Sequence, residues 1–164
     1  MISLRPCENT KEDALIAFQW RNDPETIASS YCPVPKTWDS FWLEYAECYF
    51  EHPEFPPCFV MYQNRHAGFI RFEMEELEQK KVLEIMINIA PDFRRSGIGT
   101  RAVSLIKEKS RDKNLFGLIA DIRLENEASV KLFEKQNFVF VSQRKEFIPK
   151  IQKNCHILRY FYAL

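Results

Sequence analysis

The spacing of apolar residues along the chain predicts an alternation of short strands and amphipathic helices. The first segment, Ile2–Arg5, alternates as a strand does. A helix follows over Thr10–Arg21, because a threonine with an acidic residue three positions later is a helix-start signal, and the proline at position 24 ends it. We expect a loop to Pro35 and then a second helix, Trp38–His52, which carries aromatic residues on more than one face.

The rest of the chain alternates strands with two more helices. Six further strands are predicted, over Cys58–Tyr62, Ala67–Phe72, Val82–Ile89, Leu115–Ile122, Phe138–Gln143 and His156–Tyr162. The polar segment 63–66 and the charged segment 75–81 are expected to be turns. Helices are expected from about Gly97 and over Asn126–Gln136. This order predicts one α+β domain over residues 1–164, with a mixed, mostly antiparallel sheet of six to seven strands flanked by about four helices.

Composition narrows the class of protein. A chain of 164 residues suffices for one domain with a sizeable core. The 23 basic and 23 acidic residues cancel, so we expect neither nucleic acid nor an anionic membrane as a partner. We expect no signal peptide, because the opening segment leads into a charged, capped helix, and no apolar stretch reaches the roughly 20 residues that a membrane span requires. Five scattered cysteines and three unpaired histidines predict no metal site and no disulfide framework, and indicate a cytoplasmic protein.

The most informative motif is the run Arg94-Arg95-Ser96-Gly97-Ile98-Gly99, between an apolar strand and an amphipathic helix. Gly97 and Gly99 lack a Cβ, so the main chain can approach an anion closely. The start of the helix adds unpaired N–H donors and the positive end of its dipole. Arg94 and Arg95 add two guanidinium groups suited to phosphate oxygens. The run therefore predicts a phosphate-binding loop.

Two common phosphate loops do not fit this run. A Walker loop would place Lys-Ser or Lys-Thr after Gly99, where the chain has Thr100 and Arg101. A dinucleotide fingerprint needs a third glycine, where the chain has Ala102, and an early βαβ unit, which is absent from the predicted order. An ordinary strand-to-helix turn with solvent-exposed arginines is the remaining alternative.

A second motif makes the loop more specific. Asn126-Glu127-Ala128-Ser129-Val130-Lys131-Leu132-Phe133, followed by Asn137-Phe138, lies one strand downstream. A β-hairpin, an apolar strand, R-x-x-G-x-G, a helix, a strand and this Asn-x-x-Ser motif together resemble the GNAT superfamily of acyl-CoA N-acyltransferases. The resemblance covers nearly the whole chain. It implies a sheet splayed at its centre, with acetyl-CoA as the acyl donor and no metal.

The resemblance also implies which residues bind coenzyme A. The diphosphate would bind to backbone N–H groups of Arg94 to Gly99, with a further bond from the Thr100 hydroxyl. The pantetheine arm would bond to the main chain near Ile87 and Ile89. The expected donor-binding residues are therefore Ile87, Ile89, Arg94, Arg95, Ser96, Gly97, Ile98, Gly99, Thr100, Asn126, Ser129 and Phe133. The alternative explanation of Asn126 is a helix cap, and the residue can serve both roles.

In this superfamily an amine attacks the acetyl thioester directly, and the amine must first lose a proton. Glu84 is the candidate base, because it lies inside the apolar strand Val82–Ile89. Burying a carboxylate costs free energy, so its presence there indicates a partner or a function such as proton transfer. The alternative is an exposed or ion-paired glutamate. Many relatives carry a tyrosine as general acid where this chain has Phe133, so Tyr160 or Tyr162 is the candidate replacement. A thiolate leaving group can also depart without an acid.

A third set of residues concerns the acceptor. The opening Leu4-Arg5-Pro6 and the run 20–25 resemble a subset that acetylates amino sugars of nucleotide sugars, protein N-termini and polyamines. The candidate acceptor-binding residues are Trp20, Arg21, Asn22, Tyr31, Trp38 and Trp42. The aromatic members can instead pack the helices on the sheet, and the acidic residues of the second helix could attract a polycation.

These patterns predict an N-acetyltransferase that moves the acetyl group of acetyl-CoA to a primary amine. A small-molecule acceptor such as an amino sugar is favoured. Protein N-terminal or polyamine acetylation, a non-catalytic acyl-CoA-binding domain and a phosphate-binding regulatory domain of another fold remain alternatives. A homodimer is among the expected assemblies.

Overall fold

One seven-stranded sheet runs through the computed structural model, which describes all of residues 1–164, with five α-helices around it. In chain order the elements are β1 Ile2–Pro6, α1 Lys11–Arg21, α2 Pro24–Ser29, α3 Trp38–Cys48, β2 Cys58–Tyr62, β3 Arg65–Leu77, β4 Lys80–Ile89, α4 Ile98–Ser110, β5 Gly117–Arg123, α5 Glu127–Lys135, β6 Val139–Ile148 and β7 Lys153–Ala163. The strand order is β1-β2-β3-β4-β5-β7-β6, and only β4 and β5 run parallel. The predicted α+β domain with a mixed sheet is confirmed. None of the helices has both the length and the apolar character needed to span a bilayer.

The helices pack on both faces of the sheet and create two separate cores. Beneath α4 and α5 the core contains Leu83, Ile85, Ile98, Ala102, Ile106, Leu118, Ala120 and Phe133. Against α1 and α3 it contains Ala14, Ala17, Phe41, Tyr45, Phe59 and Phe69. Successive residues of a strand point to opposite faces. Because Leu83 and Ile85 face α4 and α5, Glu84 lies on the other face.

The segment expected to be a loop as far as Pro35 contains the short helix α2. Asp23 caps this helix by accepting a hydrogen bond from the Thr26 N–H at 3.1 Å. Pro24 occupies the first helical position, where its missing N–H is not needed, so it starts α2 as well as ending α1. The second predicted helix ends at Cys48 instead of His52, which precedes a proline and is therefore disfavoured in helical backbone.

The predicted charged turn over residues 75–81 is wrong. The turn between β3 and β4 consists of Glu78 and Gln79 alone, with φ of 49° and 65°, as two-residue hairpin turns require. The strand β3 therefore continues through Glu75 to Leu77. Because of this extension, Glu75 lies on a rigid strand next to Glu84, which matters for the site described below.

Candidate active site

The site is organised by the place where β4 and β5 stop pairing. The three paired positions are Val82–Gly117, Leu83–Leu118 and Glu84–Ile119. Beyond Glu84 the two strands diverge, while β4 keeps its register with β3 as far as Ile89. Two cavities open at this gap: the Glu84 cavity, of about 530 Å³, and the glycine-loop groove, of about 690 Å³. They share four lining residues, Ser29, Ile87, Asn126 and Ser129, and are therefore adjoining.

The glycine loop presents a row of unused hydrogen-bond donors to the groove. No backbone N–H from residue 95 to residue 100 donates to a protein acceptor. The loop reaches this conformation through left-handed backbone at Arg95 and Gly97, with φ of 59° and 81°. Gly97 precedes α4 and makes no side-chain cap, so the first turn of the helix adds its own free donors. Such a row of N–H groups at a helix start suits a phosphate or diphosphate.

Gly99 leaves room at the wall of the groove. A Cβ placed there would lie 3.5 Å from side-chain atoms of both Ile89 and Leu132, which is ordinary contact. The fold therefore tolerates a small side chain at this position, but a large one would extend between β4 and α5. The predicted residues Arg95, Gly97, Gly99 and Thr100 all line the groove. Ile98 is buried in the core and Ser96 does not line the groove, so neither side chain is placed to contact a ligand there.

Arg94 differs from its expected role. Its guanidinium is directed inward, where it contacts Asp23 at 2.7 Å, Thr26 at 2.9 Å and Glu25 at 3.0 Å. Its Nε also donates to the carbonyl of Ile89 at 3.1 Å. Through these contacts Arg94 connects α2 to the end of β4, so its guanidinium is not available to bind phosphate oxygens. Of the two arginines, the exposed Arg95 is the one that forms no ion pair with a protein carboxylate.

The edge of β4 that faces the gap carries free backbone groups. The carbonyl of Lys81 accepts from Phe116 on the β5 side at 2.8 Å. Since alternate residues of a strand bond to opposite neighbours, odd-numbered residues direct their N–H and C=O groups toward β5 or toward the gap. Ile87 therefore presents both groups where no strand pairs with it. The Ile89 carbonyl already accepts from Arg94, which leaves only the N–H of Ile89 for a ligand.

Asn126 and the start of α5 close the opposite wall. The Asn126 Oδ1 accepts from the Ser129 N–H at 3.2 Å, so the residue caps α5, as the alternative explanation predicted. Its Nδ2 donates to the Ser29 carbonyl at 3.3 Å and ties α5 to the end of α2. Asn126 and Ser129 line both cavities, and Phe133 lines the Glu84 cavity.

Glu84 belongs to a compact cluster of three carboxyl groups. One oxygen each of Glu75, Glu84 and Asp121 lie within 4.8 Å of one another. Burial, followed by the nearby charges of Asp121 and Glu75, raises the pKa of Glu84 to about 8. A carboxyl group with this pKa can exchange a proton near neutral pH, which is the property that a general base requires.

Two arginines balance the charge of the other carboxyl groups. Arg159 donates to both oxygens of Asp121 at 2.8 Å and to Glu75 at 3.1 Å, and Arg144 contacts Asp121 at 2.8 Å. Burial opposes ionisation of Asp121, but these hydrogen bonds outweigh it and hold its pKa below the usual value. Asp121 is therefore anionic, and Glu84 is the member of the cluster that titrates near neutrality.

Tyr160 is not positioned as the general acid that the sequence suggested. Its neighbour Arg159 faces the carboxyl cluster, so Tyr160 faces the opposite side of the sheet. There its hydroxyl donates to Glu134 at 3.0 Å, and its ring lies in the core beneath α4 and α5. Tyr160 lines neither cavity.

The structure brings two of the six candidate acceptor-binding residues to the Glu84 cavity, Arg21 and Tyr31. The three tryptophans pack in the core against α1 and α3, where Trp20 meets Phe59 and Trp38 stacks on Trp42. Asn22 holds the backbone of Lys36 at 2.7 and 2.8 Å and does not line the cavity. For the tryptophans the packing alternative is therefore the better description.

Several residues of the site were missed by sequence reasoning. They are Lys36, Arg71, Glu73, Glu75, Asp121 and Arg144 in the cavity wall, with Arg159 behind it. Asp121 interrupts an apolar strand just as Glu84 does, so the same signal could have found it. Glu75 was hidden by the wrong turn prediction. The arginines of β6 and β7 carry no local signal, because their partners are distant in sequence.

The raised pKa of Glu84 predicts a pH-dependent gain in stability for Glu84→Gln. Between about pH 4.5 and 8 the folded protein retains a proton that the unfolded chain releases, so the stability of the native protein falls as the pH rises through that window. Glutamine has no proton to lose. In thermal denaturation from pH 5 to 9, we therefore expect the melting temperature of Glu84→Gln to rise relative to that of the native protein. The difference in melting temperature should widen up to about pH 8 and be constant above it.

Glu73→Gln is the matched control for that experiment. Glu73 lies directly opposite Glu84 across β3 and β4, but its side chain is 53% exposed and pairs with Arg71. For Glu73→Gln we expect the difference in melting temperature from the native protein to stay the same as the pH rises. Parallel pH dependences for the native protein and Glu84→Gln would contradict the assignment.

Comparison with known proteins gives both family and fold. Residues 16–138 match the acetyltransferase (GNAT) family. No curated protein sequence matches the chain. A proposed phosphinothricin N-acetyltransferase superposes with a TM-score of 0.80 at 21% identity, over 100% of this chain and 99% of the other. The ribosomal-protein-alanine N-acetyltransferase of Brucella melitensis gives 0.77 at 19% identity, over 99% of each chain. Spermidine N-acetyltransferase of Vibrio cholerae, solved with CoA and spermine, gives 0.79 at 19% identity, over 99% and 95%.

Identities this low establish a shared fold, and the family follows from the sequence match, which covers three quarters of the chain. The groove of free N–H donors and the gap beside Glu84 are compatible with the cosubstrate that this family uses. The chain belongs to the GNAT family and is an acyl-CoA-dependent N-acetyltransferase with acetyl-CoA as its acyl donor.

Proposed function

We propose that the enzyme acetylates the primary amine of a small molecule, with Glu84 accepting the proton that the amine must lose. The observation that carries this proposal is the position of Glu84 at the last paired residue between β4 and β5. From there its carboxyl group faces a cavity that adjoins the groove of free N–H donors. Donor and acceptor would thus meet beside the one carboxyl group that titrates near neutrality.

The donor would lie along the glycine-loop groove. The diphosphate would accept hydrogen bonds from the N–H groups of residues 95–100, with Arg95 and Thr100 nearby. The pantetheine amides would bond to the gap-facing N–H and C=O of Ile87 and to the N–H of Ile89. Acetyl-CoA supplies a thioester whose thiolate leaves readily, with a pKa near 8.5 for a simple thiol. We therefore assign no general acid.

Removal of the amine proton is the task left to the protein. An amine with a lysine-like pKa is only about one part in a thousand neutral near pH 7.4, a handicap of roughly 4 kcal/mol. A carboxylate with a pKa of about 8 accepts a proton far better than an ordinary glutamate, because its basicity approaches the working pH. The buried Asp121–Arg159 pair beneath it keeps the arrangement rigid.

The walls of the Glu84 cavity favour a small, non-polycationic acceptor. Its volume of about 530 Å³ fits a small molecule. Five cationic residues line it, Arg21, Lys36, Arg71, Arg123 and Arg144, against the four acidic residues Glu73, Glu75, Glu84 and Asp121. This balance disfavours a polyamine, although one structural neighbour was solved with spermine. Amino sugars and peptide N-termini remain in the panel to be tested.

Two further expectations stay predictions. The free thiols of all five cysteines fit the reducing cytoplasm. A homodimer is still expected and is measurable by light scattering of the purified protein.

Binding of the donor is tested by thermal shift. Acetyl-CoA at about 100 times its Kd is expected to stabilise the protein by about 2.7 kcal/mol, whereas ATP and NAD are not. Gly99→Leu should abolish the shift by extending a side chain into the groove, while the matched variant Gly99→Ala, whose Cβ makes ordinary contacts, should retain it. Absence of a shift with acetyl-CoA in the native protein would refute the proposed donor site.

The role of Glu84 is tested by thiol release over a panel of amino-sugar nucleotides, amino acids, peptides and polyamines. Glu84→Gln should lower kcat by about 10²- to 10⁴-fold and keep the acetyl-CoA thermal shift. Tyr160→Phe, which lines neither cavity, should leave kcat nearly unchanged. Unaltered turnover in Glu84→Gln would exclude the base, and donor binding without any turnover would favour a non-catalytic acyl-CoA-binding domain.

Arg159 acts on the reaction through the pKa of Glu84. Arg159→Gln removes the positive charge shared by Glu75 and Asp121, so the pKa of Glu84 should rise further. The acidic limb of the kcat/KM profile is expected to move to higher pH relative to the native enzyme. A merely structural role would lower kcat/KM without moving the limb, and that outcome would refute the coupling.

A further inference from the structure

The cations of the Glu84 cavity differ in whether they already have an anionic partner. Lys36 and Arg71 both contact Glu44, which lies outside the cavity wall. Arg144 contacts Asp121 and Glu146, and Arg123 lies 3.4 Å from Glu125. Arg21 is the one cavity-lining cation with no carboxylate within 4.0 Å.

Arg21 is fixed in place by neutral groups only. Its Nη2 donates to the carbonyl oxygens of Cys32 at 2.9 Å and Val34 at 3.2 Å. The loop that carries these carbonyls is itself held by Asn22, which bonds to both backbone groups of Lys36. The guanidinium therefore has a defined orientation before any ligand binds.

The other half of the Arg21 guanidinium lacks a partner. Nη1 is buried and donates to no acceptor in the protein. A buried guanidinium N–H without an acceptor costs free energy, and a charged acceptor satisfies it best. Burial lowers the pKa of Arg21, but an arginine remains charged at physiological pH. The cavity wall thus contains a positive charge that no carboxylate contacts directly, with Glu44 acting on it only from a greater distance.

We propose that Arg21 binds an oxyanion on the acceptor, so that the substrate is a small amine carrying a carboxylate or a phosphorus oxyanion. This inference rests on the proposed function and specifies its substrate class. The oxyanion lies at Arg21, on the wall formed by the end of α1, and the amine reaches Glu84 on β4. The oxyanion of such an acceptor meets the positive charge of Arg21, while its amine reaches the carboxyl group that accepts the amine proton. A polyamine offers nothing to Arg21.

The experiment compares matched pairs of amines in the thiol-release assay. Each pair contains an oxyacid and the same amine without its oxyanion: amino acids with their amides, aminoalkyl phosphonates with the corresponding amino alcohols, and amino-sugar nucleotides with free amino sugars. We expect KM to be lower for the oxyacid in at least one pair by roughly tenfold or more. The pair that responds identifies the source of the oxyanion.

Arg21→Gln separates recognition from structure. The variant should abolish the preference within the responding pair while leaving KM for the oxyanion-free amine nearly unchanged, and Arg101→Gln, an exposed arginine on α4, should retain the preference. A structural role would weaken both members of the pair alike. The acetyl-CoA thermal shift of each variant checks that the donor site is intact.

Two results would overturn the assignment: no preference for any oxyacid in the native enzyme, or a preference that survives in Arg21→Gln. If no amine in the panel releases thiol, the proposed small-amine activity fails. The oxyanion site is then decided by thermal shift of the CoA-saturated protein with the oxyacids and their oxyanion-free partners. Equal shifts within every pair would refute it.

Discussion

The early parting of β4 and β5 is the constraint on which the whole site depends. Parallel neighbours usually bond along their length, but here pairing ends at Glu84 and Ile119. The backbone edge of β4 beyond that point has no strand to satisfy it, and unpaired backbone groups at a buried edge require other partners. The same gap leaves a carboxyl group at its narrow end, where burial and two neighbouring acids make it basic. One irregularity in the sheet thus creates both the groove that we propose for the donor and the carboxyl group that we propose as the base.

A bridge across the gap completes the site. The segment that begins with α2 is tied to the glycine-loop side by Arg94 and to the start of α5 by Asn126. Arg123 donates to the carbonyls of Ala28 and Ser30, and so adds a third attachment from β5. Because side chains from both sides of the gap hold this segment, it forms a wall of both cavities and keeps them adjoining. Arg94 therefore has a structural role, since it holds α2 against the glycine-loop side, while the backbone N–H groups of residues 95–100 remain free for an anion.

Sequence reasoning identified the parts that depend on local pattern. Alternation located the strands, the Asn-x-x-Ser motif located the capped helix at Asn126, and the R-x-x-G-x-G run located the loop that lines the groove. A carboxylate in an apolar strand pointed to Glu84, which lines the adjoining cavity. The partners of Arg94 escaped it, because Asp23 lies 71 residues away in the chain and only the fold brings the two together. The tryptophans were misleading for a different reason. Large aromatic side chains can stack on a ligand, but in this protein they are used to stabilise the core, because burying them removes a large apolar area from water.

At the end of the β4–β5 pairing, Glu84 is proposed to be a base that titrates near neutral pH. The most direct test is a carbon-13 NMR titration of the side-chain carboxyl groups in glutamate-labelled protein, with Glu84→Gln used to assign the resonance. We expect a titration midpoint of about 8 for Glu84. A midpoint near the ordinary value of 4.5 would contradict it.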